Sequence, residues 1–293
     1  MNVLVAGGTG FVGRRLCEAL LARGDVVTVV TRDPAAAQAR GLAGVGYRGW
    51  LPPLDGYDAV VNLAGENIFG KRWNARVLQE LRDSRIQPTR RIVEGLHAAE
   101  RPPGVLVNAS AIGFYGDRGE EPLPETAGPG GDVMATLCSA WEAEAARSPV
   151  RTVVVRTGIV LGQGGGALNT MLPFFRIGLG GPIGLGRQWF SWIHIDDLAA
   201  LYLCAIDEPA ARGPVNGVSP GVVRNAEFSH ALGRALHRPA FLPVPPLALR
   251  LKFGRVAEVL TGSQRCVPEA SQRLGFVFRY TEIEPALQQL LGR

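Results

Sequence analysis

Residues 2–13 read NVLVAGGTGFVG and set Gly7, Gly10 and Gly13 between an apolar β-branched run and the start of an amphipathic one. That arrangement leaves few folds open. A glycine at position 7 permits a tight turn, one at 10 lets backbone N–H groups approach a pyrophosphate, and one at 13 lets a helix lie close on a sheet. Thr9, Phe11 and Val12 complete the turn. A glycine triplet alone is weak evidence, but here it follows a strand, opens a helix and begins a repeating pattern.

The pattern continues through the first half. VVTVVT (26–31), DAVVNLA (58–64), GVLVNAS (104–110) and RTVVVRT (151–157) are short apolar runs of the kind buried on both faces. Between them, residues 11–24, 73–100 and 133–148 have helical spacing. Strand and helix in alternation imply right-handed crossovers and a parallel sheet covered on both sides. With 293 residues, 46% of them hydrophobic, the chain can bury a substantial core. The expected fold is α/β: a Rossmann-type doubly wound parallel sheet with a smaller, mainly helical C-terminal region. The expected division is 1–217, with substrate-side insertions after about 165, and 218–293.

The end of the second strand, VVTRDP, bears on the cofactor. An NAD site usually places an acidic residue there to accept from ribose hydroxyls. Thr31 and Arg32 stand there instead, and Asp33 comes late. A guanidinium pairs with the extra phosphate of NADP, which a carboxylate would repel. The expectation is NADP(H) rather than NAD(H). A net charge of +5 suits a phosphate-bearing ligand, and no basic run with interleaved aromatics points to nucleic acid. Four scattered cysteines, without Cys-x-x-Cys, suggest a reduced cytoplasmic protein and no metal site. No run reads as a signal peptide or membrane span, so the expected partner is a small-molecule substrate and not a membrane.

Further motifs follow in order: NLAGENI (62–68), RDSRIQPTRRIVEGL (82–96), SAIGFYG (110–116), VVRTGIVLGQGGGAL (154–168) and FSWIHIDDLA (190–199). With GGTGFVG and residues 216–240, the chain resembles the extended short-chain dehydrogenase/reductase superfamily, and within it the atypical epimerase family (NAD-dependent epimerase/dehydratase-like). The resemblance spans essentially the whole chain. It implies that Leu63, Ala64 and Gly65 line the cofactor with backbone, and that backbone at Ile159 and Val160 meets the nicotinamide carboxamide. It also implies that Arg85 replaces a cofactor-facing asparagine, with Glu80 holding Arg85 or a ribose hydroxyl.

The resemblance breaks at the proton machinery. Reductases of this superfamily use Tyr-x-x-x-Lys, the lysine lowering the phenol pKa. The corresponding helix here reads ATLCSAWEAEA, and neither Leu137/Trp141 nor Thr136/Ala140 supplies the pair. No tyrosine in the chain is followed four residues later by lysine, and the only lysines are Lys71 and Lys252. The usual serine position is Ala111, with Ser110 one place earlier. Tyr115 is the remaining candidate acid; without a cation beside it, its pKa stays near 10, and packing is the plainer role. His194 reads as structural and Glu66 as a capping or crevice residue. Trp141 reads as an apolar plate in the site, and the glycine-rich loop 162–166 as a substrate mouth or an ordinary turn. Two functions stay open: an NADP(H)-dependent oxidoreductase or epimerase-like enzyme with an unconventional proton route, and a catalytically silent NADP(H) sensor.

Overall fold

The computed structural model describes residues 1–292, and only the backbone of Pro246, Ala248, Lys252 and Phe253. The side chain of Lys252, one of the two lysines, therefore lies outside the described residues.

The chain opens β1 (Asn2–Ala6), α1 (Phe11–Ala22), β2 (Val26–Val30), α2 (Pro34–Arg40), β3 (Val45–Arg48) and β4 (Ala59–Asn62). It continues with α3 (Ala75–Ala98), β5 (Val105–Ala111), a 3-10 turn (Ile112–Tyr115), β6 (Pro122–Leu123), α4 (Val133–Ala145), β7 (Arg151–Thr157) and β8 (Ile159–Leu161). Then come α5 (Gly166–Arg176), β9 (Trp189–Phe190), β10 (Trp192–His194), α6 (Ile195–Asp207), β11 (Gly213–Gly217), β12 (Val223–Arg224) and α7 (Asn225–Leu236). The chain closes with α8 (Pro246–Phe253), α9 (Ala257–Thr261), β13 (Arg265–Cys266), α10 (Glu269–Arg273) and α11 (Ile283–Leu291).

Seven strands form one parallel sheet in the order β11-β7-β5-β4-β1-β2-β3. Alternation along β1 shows why these runs are apolar throughout. Val3 and Val5 pack with Leu16 and Leu20 of α1 and Leu198 of α6, whereas Leu4 and Ala6 pack with Ile92, Val93 and Leu96 of α3. Both faces are covered, as a parallel sheet requires. Strand β3 and helix α2 are additions to the sequence-based expectation. VGYR is too short and too polar to stand out, and Asp33, the late acid, caps α2 by accepting from the Ala36 N–H at 2.9 Å.

A second core joins Leu161, Leu168, Phe175, Phe190 and Trp192 to Phe228, Leu232 and Leu287, drawing on both sides of residue 217. Glycines make the junction to the first core. A Cβ at Gly165 or Gly166 would collide with the Phe11 ring, and both Gly164 (φ +77°) and Gly166 (φ +65°) are left-handed. The loop 162–166 therefore wraps a ring rather than opening a mouth. Among the described residues, no helix is long and apolar enough to cross a membrane.

Candidate functional site

The strand order reverses between β1 and β4, and a crevice outside the carboxyl ends of strands at such a reversal is where open α/β sheets take ligands. The glycine turn forms one wall. Gly7 adopts φ +81°, and a Cβ there would lie 2.7 Å from the Leu63 carbonyl, so the turn and the segment after β4 touch through backbone. A Cβ at Gly13 would strike the turn itself at Gly7 O and Gly8 Cα, so α1 packs flush on the loop. Gly10 is different. It is the exposed N-cap of α1 and has protein-side room, its nearest atom being Gly7 O at 3.3 Å from a Cβ. What limits this position lies outside the chain. No side chain caps α1 and its first turn carries no acid, so the first-turn N–H groups face the crevice mouth without an internal anion. Thr9 is exposed beside Gly10, while Phe11 and Val12 turn half-buried toward the protein.

Beyond the turn lies a crevice of about 320 Å³ lined by Gly8, Thr9, Arg14, Thr31, Arg40 and Tyr47, among others. Thr31 belongs to it as the sequence suggests. Arg32 does not line it: its side chain is 94% exposed at the strand end, with only a loose 3.7 Å approach to Glu66. Arg14 and Arg40 bring guanidinium groups to the crevice that motif spacing did not single out. Trp50 is also new. Its indole is 70% exposed, and it follows Arg48, whose carbonyl accepts from the Thr31 N–H, and Gly49, which abuts Pro34.

The segment after β4 is held from below. Arg85 donates to the Glu66 carbonyl at 3.0 Å and to the Leu81 carbonyl at 3.0 Å, lies against Gly65, and stacks over the Trp141 ring at 5.3 Å. Burial lowers its pKa from the usual value. Arg85 thus ties Leu63, Ala64 and Gly65 to α3. Glu80 does not hold it: its carboxylate pairs with Lys71 at 2.7 Å and Arg76 at 3.1 Å. The expectation for that contact fails because Glu80 lies five residues from Arg85, off its helical face.

Two residues on the α4 side of the fold correct the sequence-based picture. Trp141 is not an exposed plate; it is 5% exposed and donates from Nε1 to Thr89 Oγ1, which also accepts from Asn62. Tyr115 is fully buried in the 3-10 turn, where its hydroxyl donates to Asn216 at 2.7 Å and accepts from Arg156 at 3.0 Å. Tyr115 does have a cation beside it, contrary to expectation. Yet burial outweighs that charge and pushes the phenol up to about 12, so Tyr115 holds its proton tightly within this network. Arg156 itself forks onto Glu142 at 2.9 and 2.8 Å, and Ser110 donates to the same carboxylate at 2.6 Å. Sequence spacing offered no signal for this network, because its members come from β5, α4 and β7.

His194 is buried as expected, but it caps α6 itself. Its Nδ1 accepts from the Asp196 N–H, its Nε2 faces Gln289 at 3.0 Å, and its ring stacks on Tyr280 at 3.8 Å. Asp197 instead accepts from the Arg279 and Tyr280 N–H groups. Ile159 and Val160 form β8 against β10, and the Ile159 N–H is already committed to the Ser191 carbonyl at 2.8 Å. That donor is not free for a carboxamide. Among the described residues, no group of His, Cys, Asp or Glu is arranged to hold a metal.

Comparison with known proteins agrees with this architecture. The sequence profile of the NAD dependent epimerase/dehydratase family matches residues 3–217, and a domain of unknown function (DUF1731) matches residues 244–290. Human epimerase family protein SDR39U1 is 41% identical over 302 residues, with 100% of each chain covered. An epimerase family protein of Mycobacterium bovis is 42% identical over 294 residues, covering 97% of this chain and 96% of its own. The crystal structure of human SDR39U1 (isoform 2) with NADPH superposes with a TM-score of 0.92 at 38% identity, covering 100% of both chains. UDP-glucose 4-epimerase of Thermus thermophilus, at 20% identity and a TM-score of 0.77 over 100% of this chain and 98% of its own, shares the fold. With two thirds of its length matched and relatives above 40% identity end to end, the chain belongs to the NAD dependent epimerase/dehydratase family.

Proposed function

We propose that this protein is an NADP(H)-dependent oxidoreductase, or a redox epimerase, acting on a small molecule without a Tyr-x-x-x-Lys pair. The observation that carries the reading is the crevice at the strand-order reversal. A left-handed glycine turn and an uncapped α1 N-terminus meet guanidinium groups from Arg14 and Arg40 there, with Arg32 exposed at the adjoining strand end. These residues fit a phosphorylated dinucleotide: the open side of Gly10 has room for an oxygen, and no acid occupies the first turn of α1.

Gly7, Thr9, Gly10, Phe11, Val12 and Gly13 would hold the pyrophosphate. Thr31 and Arg32, with Arg14 and Arg40, would take the 2′-phosphate. Leu63, Ala64 and Gly65 would line the crevice, kept in place by Arg85. When bound, the cofactor supplies a hydride donor or acceptor. The chain's own part is to position and to exclude water, because Tyr115 keeps its proton and Glu142 is engaged by Ser110 and Arg156. The proton for a substrate oxygen then comes from water or from the substrate. The NADPH bound to human SDR39U1 supports the choice of cofactor.

One observation favours a second reading, a binding or sensing protein: the groups nearest the expected reacting end are sealed by internal partners. NADPH oxidation against a panel of aldehydes and ketones, beside an equilibrium titration of NADPH, separates the two. Turnover of any panel member supports the enzyme. Tight NADPH binding with no turnover supports the sensor, and absence of binding refutes both.

A further inference from the structure

We propose that a ridge built from the segment after α5 and from α8 docks on the surface of an anionic phospholipid bilayer. Two stretches, 177–185 and 241–251, form this ridge. Ile183 bridges to Val244, the Gly184 N–H donates to the Val244 carbonyl, and the Val244 N–H donates to the Pro182 carbonyl. Arg238 donates from Nε to the Arg176 carbonyl at 2.9 Å. These bonds hold Pro182–Gly184 against Val244 and Arg176 against Arg238, so the two stretches run side by side where they meet.

Along the ridge, Ile177, Leu179, Leu185, Phe241, Leu247 and Leu251 expose 67, 56, 75, 69, 68 and 70% of their surface. The other large apolar residues exposed to a similar degree, such as Val26, Trp50 and Val277, are widely separated in sequence. A concentration of this kind marks an interaction site, whereas single exposed apolar residues do not. Side chains exposed by more than half stand proud of the surface instead of walling a cleft. A flat apolar phase suits them better than a small ligand.

Charge identifies that phase. No aspartate or glutamate occurs from Gly166 to Arg187 or from Phe228 to Ala257, while Arg176, Arg187, Arg234, Arg238, Arg250, Lys252 and Arg255 do. The acid that reaches this face from another element, Glu284 of α11, is paired with Arg234. A shallow hollow lined by His230, Arg234, His237 and Arg238 opens beside Phe241, and the Arg238 guanidinium there can donate to a phosphodiester headgroup. Apolar side chains at the acyl boundary with arginines at the level of anionic headgroups is the usual chemistry of an interfacial surface. A second copy of this chain would bring the same positive charge to the contact, which disfavours a symmetric dimer here. The proposal does not depend on the cofactor reading.

The test uses the full chain in co-sedimentation with vesicles of phosphatidylcholine alone and of phosphatidylcholine mixed with phosphatidylglycerol. The expected result is binding to the mixed vesicles only, weakened by salt. Binding should fall about tenfold or more in the L247E/L251E double variant. Val277→Glu, a charge change at an apolar site outside the ridge, should leave vesicle binding unchanged, and circular dichroism checks that each variant is folded. Failure to bind mixed vesicles overturns the proposal, as does binding indifferent to L247E/L251E. A dimer in sedimentation equilibrium that L247E/L251E dissociates, without vesicle binding, would assign the ridge to a second copy and overturn it equally.

Discussion

The glycine turn and the α4 side of the fold are built on opposite principles. At the glycine turn, polar groups point outward: the α1 N-terminus has no side-chain cap, and Arg32 is almost wholly exposed with only a loose approach to Glu66. On the α4 side, the candidate proton carriers among the described residues have partners inside the chain. Tyr115 is held by Asn216 and Arg156, Glu142 by Arg156 and Ser110, and the Trp141 indole by Thr89. The first end is ready to hold an anion, the second to hold its own shape. A protein of this family can therefore keep a cofactor cradle intact while its proton machinery becomes structural.

The largest expected effect breaks the closed end. Arg156 is 4% exposed and satisfies both oxygens of Glu142, so Arg156→Met leaves a largely buried carboxylate, 14% exposed, without its cation. Stability should fall by about 3–5 kcal/mol in urea melts; a loss under 1 kcal/mol would mean the network is not the structural unit described. Next comes the open end. Arg32→Glu should weaken NADPH about tenfold to a hundredfold, consistent with loss of a charge-assisted bond of about 1.5–3 kcal/mol, and NADH much less. Equal losses for both nucleotides would shift 2′-phosphate recognition to Arg14 and Arg40.

A smaller effect sharpens the boundary between the ends. Tyr115→Phe removes two buried hydrogen bonds and should cost on the order of 1–2 kcal/mol of stability. NADPH affinity and any turnover of the folded variant should stay unchanged; a specific loss of kcat would restore Tyr115 as the acid. The smallest effect concerns His194. Burial holds its pKa below the ordinary histidine value of about 6.5, so the unfolded chain takes up this proton first. Its contribution is fully present above that value and is lost as pH falls below it. The urea midpoint should decline more steeply below about pH 6.5 in the wild type than in His194→Asn, which keeps an N-cap acceptor.

The open end was legible in the sequence because it depends on local chain geometry. Gly7 and Gly13 are needed by a turn and a helix within seven residues of each other, and the apolar runs of β1, β4, β5 and β7 each declare burial on both faces. The closed end was not legible. Arg156 meets Glu142 and Tyr115 across three elements, and no spacing rule places them together. Glu80 and Arg85 failed as a pair for a related reason: proximity in sequence suggested contact, but helical geometry turned them apart. Trp141 was located correctly as the substitute for lysine, while its depth depended on Thr89 and Arg85 of α3, which only packing could reveal. His194 was read as structural from its apolar neighbours, yet its capping role fell to it and not to the acids that follow.

The Phe11 ring sits where Gly162, Gly165 and Gly166 have no side chains, about 150 residues further along the chain. One volume is thus specified twice, once by an aromatic at the start of α1 and once by methyl groups withheld from a distant loop. Relatives in which position 11 shrinks gain space for a methyl at 165, and those that keep the aromatic must keep the bare loop, so the two positions should drift in step.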